Sequence, residues 1–247
     1  MKIDPLLNYL EKNRISISQE VYKGDSLFKE YTRFPQITLP KPLPLPISFQ
    51  DVLCKRKSIR EYSKKHLTRE QIGTLLFWSA GLFKNGDIQY VSDISERPHP
   101  SGGAKYPLEL YLLILNGEGL ERDVYHYNIN KHTLEHLYTV DFEAITSCFE
   151  ENDFFSLQSG MVILFSFIKT RNMGKYGALS YKLSFMEGGC IAQNIYLLSS
   201  ALELGCCGMG MSTVPNFNEA LHLDGINESI FYGCAVGNVE NGNEKGK

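Results

Sequence analysis

Residues 98–115 read Pro98-His99-Pro100-Ser101-Gly102-Gly103-Ala104-Lys105-Tyr106-Pro107-Leu108-Glu109-Leu110-Tyr111-Leu112-Leu113-Ile114-Leu115. Two signals meet here. Paired glycines let backbone N–H groups approach a flat or anionic ligand without side-chain obstruction. Leu108 to Leu115 is a near-continuous apolar run of strand length, the pattern of a strand buried on both faces. A glycine loop feeding a central strand is a place for a site. Taken alone, the same loop also reads as an ordinary tight turn.

Working outward, Val124-Tyr-His-Tyr127 and Leu134-Glu-His-Leu-Tyr138 flank Asn128-Ile-Asn-Lys131, which predicts a hairpin. Phe142 to Glu150 predicts a helix, and Met161 to Ile168 a second buried strand. A long helix is predicted from about Ala178 to Leu204, ended by Gly205. Gly188-Gly189 within it suits close packing against another helix or a ligand. A short helix at Phe217 to Leu221 and a strand at Phe231 to Val236 follow. Upstream, Thr68-Arg69-Glu70-Gln71 is a capping-box pattern opening a helix with Ile72, Leu75, Leu76 and Ala80 on one face, and Gly81 ends it. Phe49 to Cys54 is a short helix, and residues 84–99 read as a polar loop. Helices and strands that do not alternate regularly, with one hairpin, predict an α+β fold rather than a βαβ series.

The 247 residues fit one domain with an added arm. Residues 1–48 form the arm, where Pro5, Pro35, Pro40, Pro42, Pro44 and Pro46 make up six of the ten prolines. Proline alternating with leucine forces extended backbone, and the leucines favour docking on a body or a neighbouring subunit. The domain spans 49–240, and 241–247 is a polar tail. A net charge of -3 argues against a nucleic-acid binder. The longest apolar run, around Met161 to Ile168, falls far short of the ~20 residues of a membrane span. Met1-Lys2-Ile3-Asp4-Pro5 has no signal-peptide core, so a cytoplasmic location is expected. The six cysteines include no C-x-x-C pair and read as buried small hydrophobes. His132 and His136, four apart on an expected strand, are about 13 Å apart, so no metal site is expected.

Four further motifs carry chemistry. Lys55-Arg56-Lys57-Ser58-Ile59-Arg60 sets several cations and a hydroxyl within six residues, enough to neutralise a phosphate. Gly205-Cys-Cys-Gly208-Met209-Gly210 follows a helix, which rules out a dinucleotide fingerprint but allows a loop passing a ligand ring. Gly174-Lys175-Tyr176-Gly177 sets an ammonium beside a phenol, a pair suited to acid–base work, or else a surface turn. Ala235-Val236-Gly237 closes the series.

In this order, Arg56-Lys-Ser-Ile-Arg60, Pro100-Ser-Gly-Gly-Ala104 with Tyr106-Pro-Leu-Glu-Leu-Tyr111, Lys175-Tyr176-Gly177, Gly189-Cys-Ile-Ala-Gln-Asn-Ile-Tyr-Leu197 and Ala235-Val-Gly237 resemble the FMN-dependent nitroreductase superfamily. Within it the chain is most similar to the SagB-type dehydrogenases, which aromatise thiazole and oxazole rings in ribosomal peptides. The resemblance covers about residues 30 to 240. It implies a central, mostly antiparallel sheet flanked by helices, in an intertwined homodimer with FMN at the interface. The Gly188-Gly189 helix would lie at the dimer core, and the N-terminal arm and C-terminal tail would wrap the partner.

Carried over residue by residue, the resemblance gives Arg56, Lys57 and Ser58 to the FMN phosphate and ribityl chain, and Arg60 to the pyrimidine edge of the flavin. Pro100, Ser101, Gly102 and Gly103 belong to the loop that approaches the isoalloxazine from the other subunit. Gly208, Met209 and Gly210 would cover the ring face. Lys175 and Tyr176 match a proton-accepting pair, with the hydride going to the flavin. The sequence departs from the family at Gly189-Cys190, where Gly-His is common, at Lys182, where Arg is common, and after Gly237, where a basic residue is often found. Implied partners are a cyclodehydratase complex and a peptide substrate. The alternative on the same fold is an NAD(P)H-dependent nitroreductase or quinone reductase, and a third reading is a non-enzymatic flavin-binding or scaffold subunit.

Overall fold

The computed structural model describes residues 28–83 and 97–240. The expected amphipathic stretch near Leu6 to Leu10, most of the polar loop and the tail lie outside them. Among the described residues, seven strands form one sheet: β1 (Gln36–Thr38), β2 (Leu108–Ile114), β3 (Val124–Asn128), β4 (Thr133–His136), β5 (Met161–Ile168), β6 (Leu204–Met209) and β7 (Glu228–Asn238). Their order is β1-β4-β3-β2-β5-β7-β6, and every neighbouring pair is antiparallel. The helices are α1 (Phe49–Lys55), α2 (Arg69–Ala80), α3 (Phe142–Ser147), α4 (Thr170–Tyr176), α5 (Leu179–Ala201) and α6 (Val214–Ala220). The α+β expectation and the antiparallel, helix-flanked sheet are as the sequence implied.

β2 and β5 are buried on both faces because each face carries its own core. Leu108, Leu110, Leu112, Ile163 and Phe165 pack with Ile72, Leu75 and Leu76 of α2 and Ile191 and Ile195 of α5. Leu113, Val162 and Leu164 pack on the other face with Ile145 of α3 and Phe217 of α6. Alternate side chains on a strand point to opposite faces, so two apolar faces produce the continuous apolar run. The β5–β7 register shifts between Phe165 and Ser166, opposite Tyr232 and Ile230, which leaves Phe231 as the extra residue. A Cβ on Gly188 would lie 2.8 Å from the Phe231 ring, so the glycine makes room for that bulge. The capping box at Thr68 forms in full and Gly81 caps α2.

Several boundaries differ from expectation. The long helix ends at Ala201, not Leu204, and the chain turns through Glu203 at φ 58°. Gly205 is therefore not a helix terminator. It lies in β6, where a Cβ would meet Val239 at 2.8 Å and Ile59 at 2.9 Å. The Gly205–Met209 segment is an edge strand rather than a loop; β6 pairs antiparallel to β7 and lacks the parallel βαβ setting of a dinucleotide fingerprint. The helix expected over Phe142 to Glu150 ends at Ser147, and a 3-10 helix, Glu151–Gln158, follows beyond the expected span. Lys175 and Tyr176 close a short helix instead of sitting in a turn. β7 runs from Glu228, three residues before the expected strand start.

The arm contributes β1, which the proline pattern hides: Gln36, Ile37 and Thr38 pair with Glu135, Leu134 and Thr133 of β4. Leu39 is buried, and the Leu43 amide donates to the Thr74 hydroxyl at 2.8 Å. Residues 28–48 thus lie along this chain's own body. His132 sits at φ 52° in the hairpin turn, bonded to Tyr127 and to the Pro40 carbonyl, rather than on a strand with His136. Cys148, Cys206, Cys207 and Cys234 are buried, Cys190 is half-buried, and Cys54 is exposed. Among the described residues, no helix is long and apolar enough to cross a membrane.

Candidate active site

The sequence-predicted residues assemble into two groups. The first lies on the outer edge of β6. The Ile59 amide donates to the Cys206 carbonyl at 2.8 Å and lays residues 56–60 along that edge. Lys57, Ser58 and Arg60 are exposed there and Arg56 is half-buried. Tyr196 of α5 organises the group: its hydroxyl accepts the Gly208 amide at 2.7 Å, meets Ser58 Oγ at 3.2 Å, and its ring lies 5.6 Å from the Arg56 guanidinium. Burial raises the Tyr196 phenol above its usual value, so it stays a neutral hydroxyl. Arg60 stacks on Phe155 at 5.7 Å, and its charge partly offsets the burial that raises the Cys207 thiol. A Cβ on Gly208 would collide with the Tyr232 hydroxyl. Exposed cations, a hydroxyl and a glycine backbone form a donor set suited to a phosphate and its sugar chain.

The second group joins two motifs that are seventy residues apart in sequence. Pro100 is exposed, Ser101 accepts the Tyr106 amide at 2.9 Å, and Gly102–Ala104 form a 3-10 turn. Over this turn hang Lys175 and Tyr176, with the ammonium 5.2 Å from the phenol ring. A Cβ on Gly103 would lie 2.5 Å from the Tyr176 hydroxyl and 2.8 Å from the Lys175 ammonium. Gly103 is at φ 64°, so this position needs glycine for backbone and space alike. Gly102 rests on Leu183 of α5, where a Cβ would be at 3.0 Å.

One chain does not bring the two groups together. Leu183 and Tyr196 mark them on the same helix, thirteen residues or about 20 Å apart at 1.5 Å per residue. Met209 departs from the expectation for a ring cover: its side chain is buried in the core beside Gly233. Gly210 is exposed with open space at its Cβ position.

The nitroreductase family model matches residues 53–238, the span that holds both groups. The chain belongs to the nitroreductase family. It is 29% identical over 177 residues to the protein named "Putative nitroreductase MJ1384" of Methanocaldococcus jannaschii, covering 72% of this chain and 85% of that one. It is 30% identical over 113 residues to the Microcin B17-processing protein McbC of Escherichia coli, covering 44% and 42% of the two chains. Three solved structures share the fold. A "putative nitroreductase" of Ralstonia eutropha superposes with TM-score 0.68 at 20% identity, over 83% of this chain and 90% of that one. A chain of the E. coli microcin synthetase McbBCD complex with truncated pro-MccB17 bound gives 0.61 at 20% identity, over 98% and 85%. A "putative nitroreductase" of Desulfovibrio desulfuricans in complex with FMN gives 0.52 at 15% identity, over 81% and 90%.

This nitroreductase-family chain also buries polar residues that the sequence reading did not single out. Arg171 is ion-paired with Glu109, and its Nη1 donates to the Tyr106 carbonyl at 3.0 Å. His126 lies between Glu109 at 3.1 Å and Glu135 at 2.7 Å. Burial alone would raise the Glu109 carboxyl, but Arg171 and His126 overcome it and hold it at about 2. Burial likewise opposes charge on His126, and its two carboxylate partners raise its pKa nonetheless. Lys29 of the arm reaches Glu228 at 2.5 Å and the Tyr111 hydroxyl at 2.6 Å. His99 and Glu187 are both buried and face each other at 3.4 Å, an ion-pair distance without hydrogen-bond alignment. The one available signal was charge inside apolar strands: Glu109 within Leu108–Ile114, and His126 and Glu135 within the hairpin.

Glu121, Asp123 and His136 set three ligand-type atoms within 4.8 Å of one another at the rim of the hairpin. The His136–Asp123 hydrogen bond at 2.7 Å accounts for much of that closeness.

Proposed function

We propose that this chain is an FMN-dependent dehydrogenase that oxidises azoline rings to azoles in a ribosomally made peptide. The observation that carries it is the contact of Gly103 with Lys175 and Tyr176, which puts a proton-handling pair over the loop read as flavin-approaching. The local likeness to McbC supports the substrate class. A structural neighbour's complex with FMN supports the cofactor.

FMN, when bound, supplies a two-electron hydride acceptor. Arg56, Lys57 and Ser58 would hold its phosphate and ribityl chain, with Tyr196 fixing Ser58 and Gly208 in place. Arg60 would sit by the pyrimidine edge, where a cation stabilises charge built up on reduction. Azoline oxidation removes one proton and one hydride from adjacent carbons. Lys175 Nζ and Tyr176 Oη would take the proton.

A second copy of the chain would supply the Pro100–Gly103 loop and its pair to the first copy's phosphate group. The exposed stripe on α5 supports this: Phe185 and Met186 are 46% and 61% exposed, and nothing lies within 4 Å of a Cβ on Gly189. A cyclodehydratase is the partner implied by the peptide substrate, in line with the McbBCD fold match.

The test is azoline-peptide oxidation by the FMN-loaded protein and by a Lys175→Ala, Tyr176→Phe double variant. We expect the variant to bind FMN and lose aromatisation; full-rate aromatisation would remove the assigned roles. The likeness to MJ1384 favours a second reading, an NAD(P)H-dependent nitroreductase or quinone reductase. Rapid anaerobic bleaching of the flavin by NADH or NADPH would put that reading first.

A further inference from the structure

We propose that Arg171 is a positioning residue that locks the Lys175–Tyr176 pair and the Ser101–Tyr106 loop into one rigid unit. The proposal deepens the azoline-dehydrogenase reading and rests on the pair's proton-accepting role.

Arg171 stands one turn before Lys175 on α4, an i, i+4 spacing on one helix face. It is 8% exposed and holds two acceptors at once. One arm of the guanidinium donates to the Tyr106 carbonyl and the other pairs with Glu109 of β2. The Tyr106 amide in turn donates to Ser101 Oγ. Between these bonds the loop carries three left-handed residues: Gly103, Ala104 and Tyr106 at φ 64°, 53° and 45°. Non-glycine residues keep such dihedrals only where the surroundings over-determine them. Here the Tyr106 ring is also held, with the Arg97 guanidinium 4.3 Å from its centre and the His99 ring edge-on at 5.6 Å. The loop then passes Gly103 beneath Tyr176 and Lys175. The contacts form a closed circuit: Arg171 to Tyr106, to Ser101, to Gly103, to the pair, and back along α4.

The circuit is anchored in the sheet. Glu109 is bonded to His126 and His126 to Glu135, which also accepts the Asn128 amide nitrogen at 2.8 Å and the Tyr31 amide at 3.0 Å. Asn172, the next residue on α4, donates to Ser184 of α5 at 3.2 Å. Buried ion pairs are weak contributors to stability when compared with apolar replacements. A chain of them ending at the base of the proton-accepting pair is better suited to fixing geometry. Arginine is required because its planar fork serves two acceptors in fixed directions, whereas lysine is a single point charge.

The experiment uses the full-length protein, with and without FMN, as wild type, Arg171→Lys, Ser101→Ala and the Lys175→Ala, Tyr176→Phe double variant. Amide hydrogen exchange is followed in residues 98–107 and 170–177, beside steady-state azoline oxidation. Arg171→Lys keeps a charge opposite Glu109 but loses the fork. We expect faster exchange in both segments and a kcat lowered by about tenfold or more, with KM changed less than about threefold, the signature of lost orientation. Ser101→Ala breaks the circuit without touching the buried charges and is expected to speed exchange in both segments too. It carries the test if Arg171→Lys does not fold. Wild-type exchange in residues 170–177 for either folded variant, or a rise in KM alone, would overturn the proposal. A double variant that oxidises azolines at full rate overturns the underlying reading and the proposal with it. A slow double variant beside an unaffected Arg171→Lys overturns the proposal alone.

Discussion

The Tyr176 hydroxyl occupies the space that a side chain at Gly103 would fill, with only 2.5 Å between it and an ideal Cβ. Gly103→Ala must therefore displace the phenol and also adopt φ 64°, a conformation costing an L-residue roughly 1–2 kcal/mol. We expect azoline oxidation to fall at least about tenfold, with FMN affinity falling less than turnover because the phosphate group lies at the other end of α5. Titration of the variant with FMN and a single-turnover assay check this. A variant with wild-type turnover would show that the contact has no part in the chemistry.

That contact also marks how far the sequence could be read. The glycine pair and the Lys-Tyr pair were each visible as motifs, and the buried strands that carry them were legible from continuous apolar runs. Their contact depends on α4, which the residues Thr170-Arg-Asn-Met-Gly-Lys-Tyr176 disguise with a glycine in the last turn. The β6 strand was missed for a similar reason: Gly205-Cys-Cys-Gly208 has little strand propensity, and its pairing with β7 sets the conformation instead. Arg171 carried no local signal, because its partners Glu109 and Tyr106 are more than sixty residues away.

Tyr196 joins Ser58 to Gly208 and so links the segment read as phosphate-binding to the one read as covering the flavin ring. Tyr196→Phe removes both hydrogen bonds and keeps the ring under Arg56. A lost hydrogen bond of this kind is worth about 1 kcal/mol, so the melting temperature should fall by a few degrees, and FMN affinity should weaken by about fivefold to tenfold. Fluorescence titration of the apoprotein measures it, and unchanged affinity would remove Tyr196 from the binding group.

The Glu109 carboxyl is held at about 2 against an ordinary value of 4.5. A depressed carboxylate stabilises the fold fully above its unfolded pKa, and that share is lost as pH falls through the folded value. Stability should drop between about pH 4.5 and 2. His126, whose pKa is raised, acts in the opposite sense: its share is full below about 6.5 and lost as pH rises through its folded value. Urea unfolding across pH, compared with Glu109→Gln, separates the two. A Glu109→Gln profile parallel to wild type below pH 4.5 would contradict the assignment.

Gly188 faces the bulged Phe231, whose ring atoms would lie 2.8 and 2.9 Å from an added Cβ. Gly188→Ala should destabilise the chain by about 1–3 kcal/mol through overpacking. Gly189→Ala, with nothing within 4 Å in the helix interior, should stabilise the single chain by about 0.5–1 kcal/mol. If α5 is the dimer core, that second variant should instead shift the monomer–dimer balance, which sedimentation velocity resolves.

The two ends of the sheet are guarded in different ways. β1 is a three-residue edge with Pro35 before it and Pro40 two residues after it, a short and poorly templating border. β6 is longer, and its outer rim is occupied by Ile59, whose amide bonds to the Cys206 carbonyl. The segment that carries Arg56, Ser58 and Arg60 is thus also a cap on an aggregation-prone border. If the proposed FMN phosphate sits on those residues, the ligand would also hold the cap in place, and losing it would loosen the cover on a sheet edge.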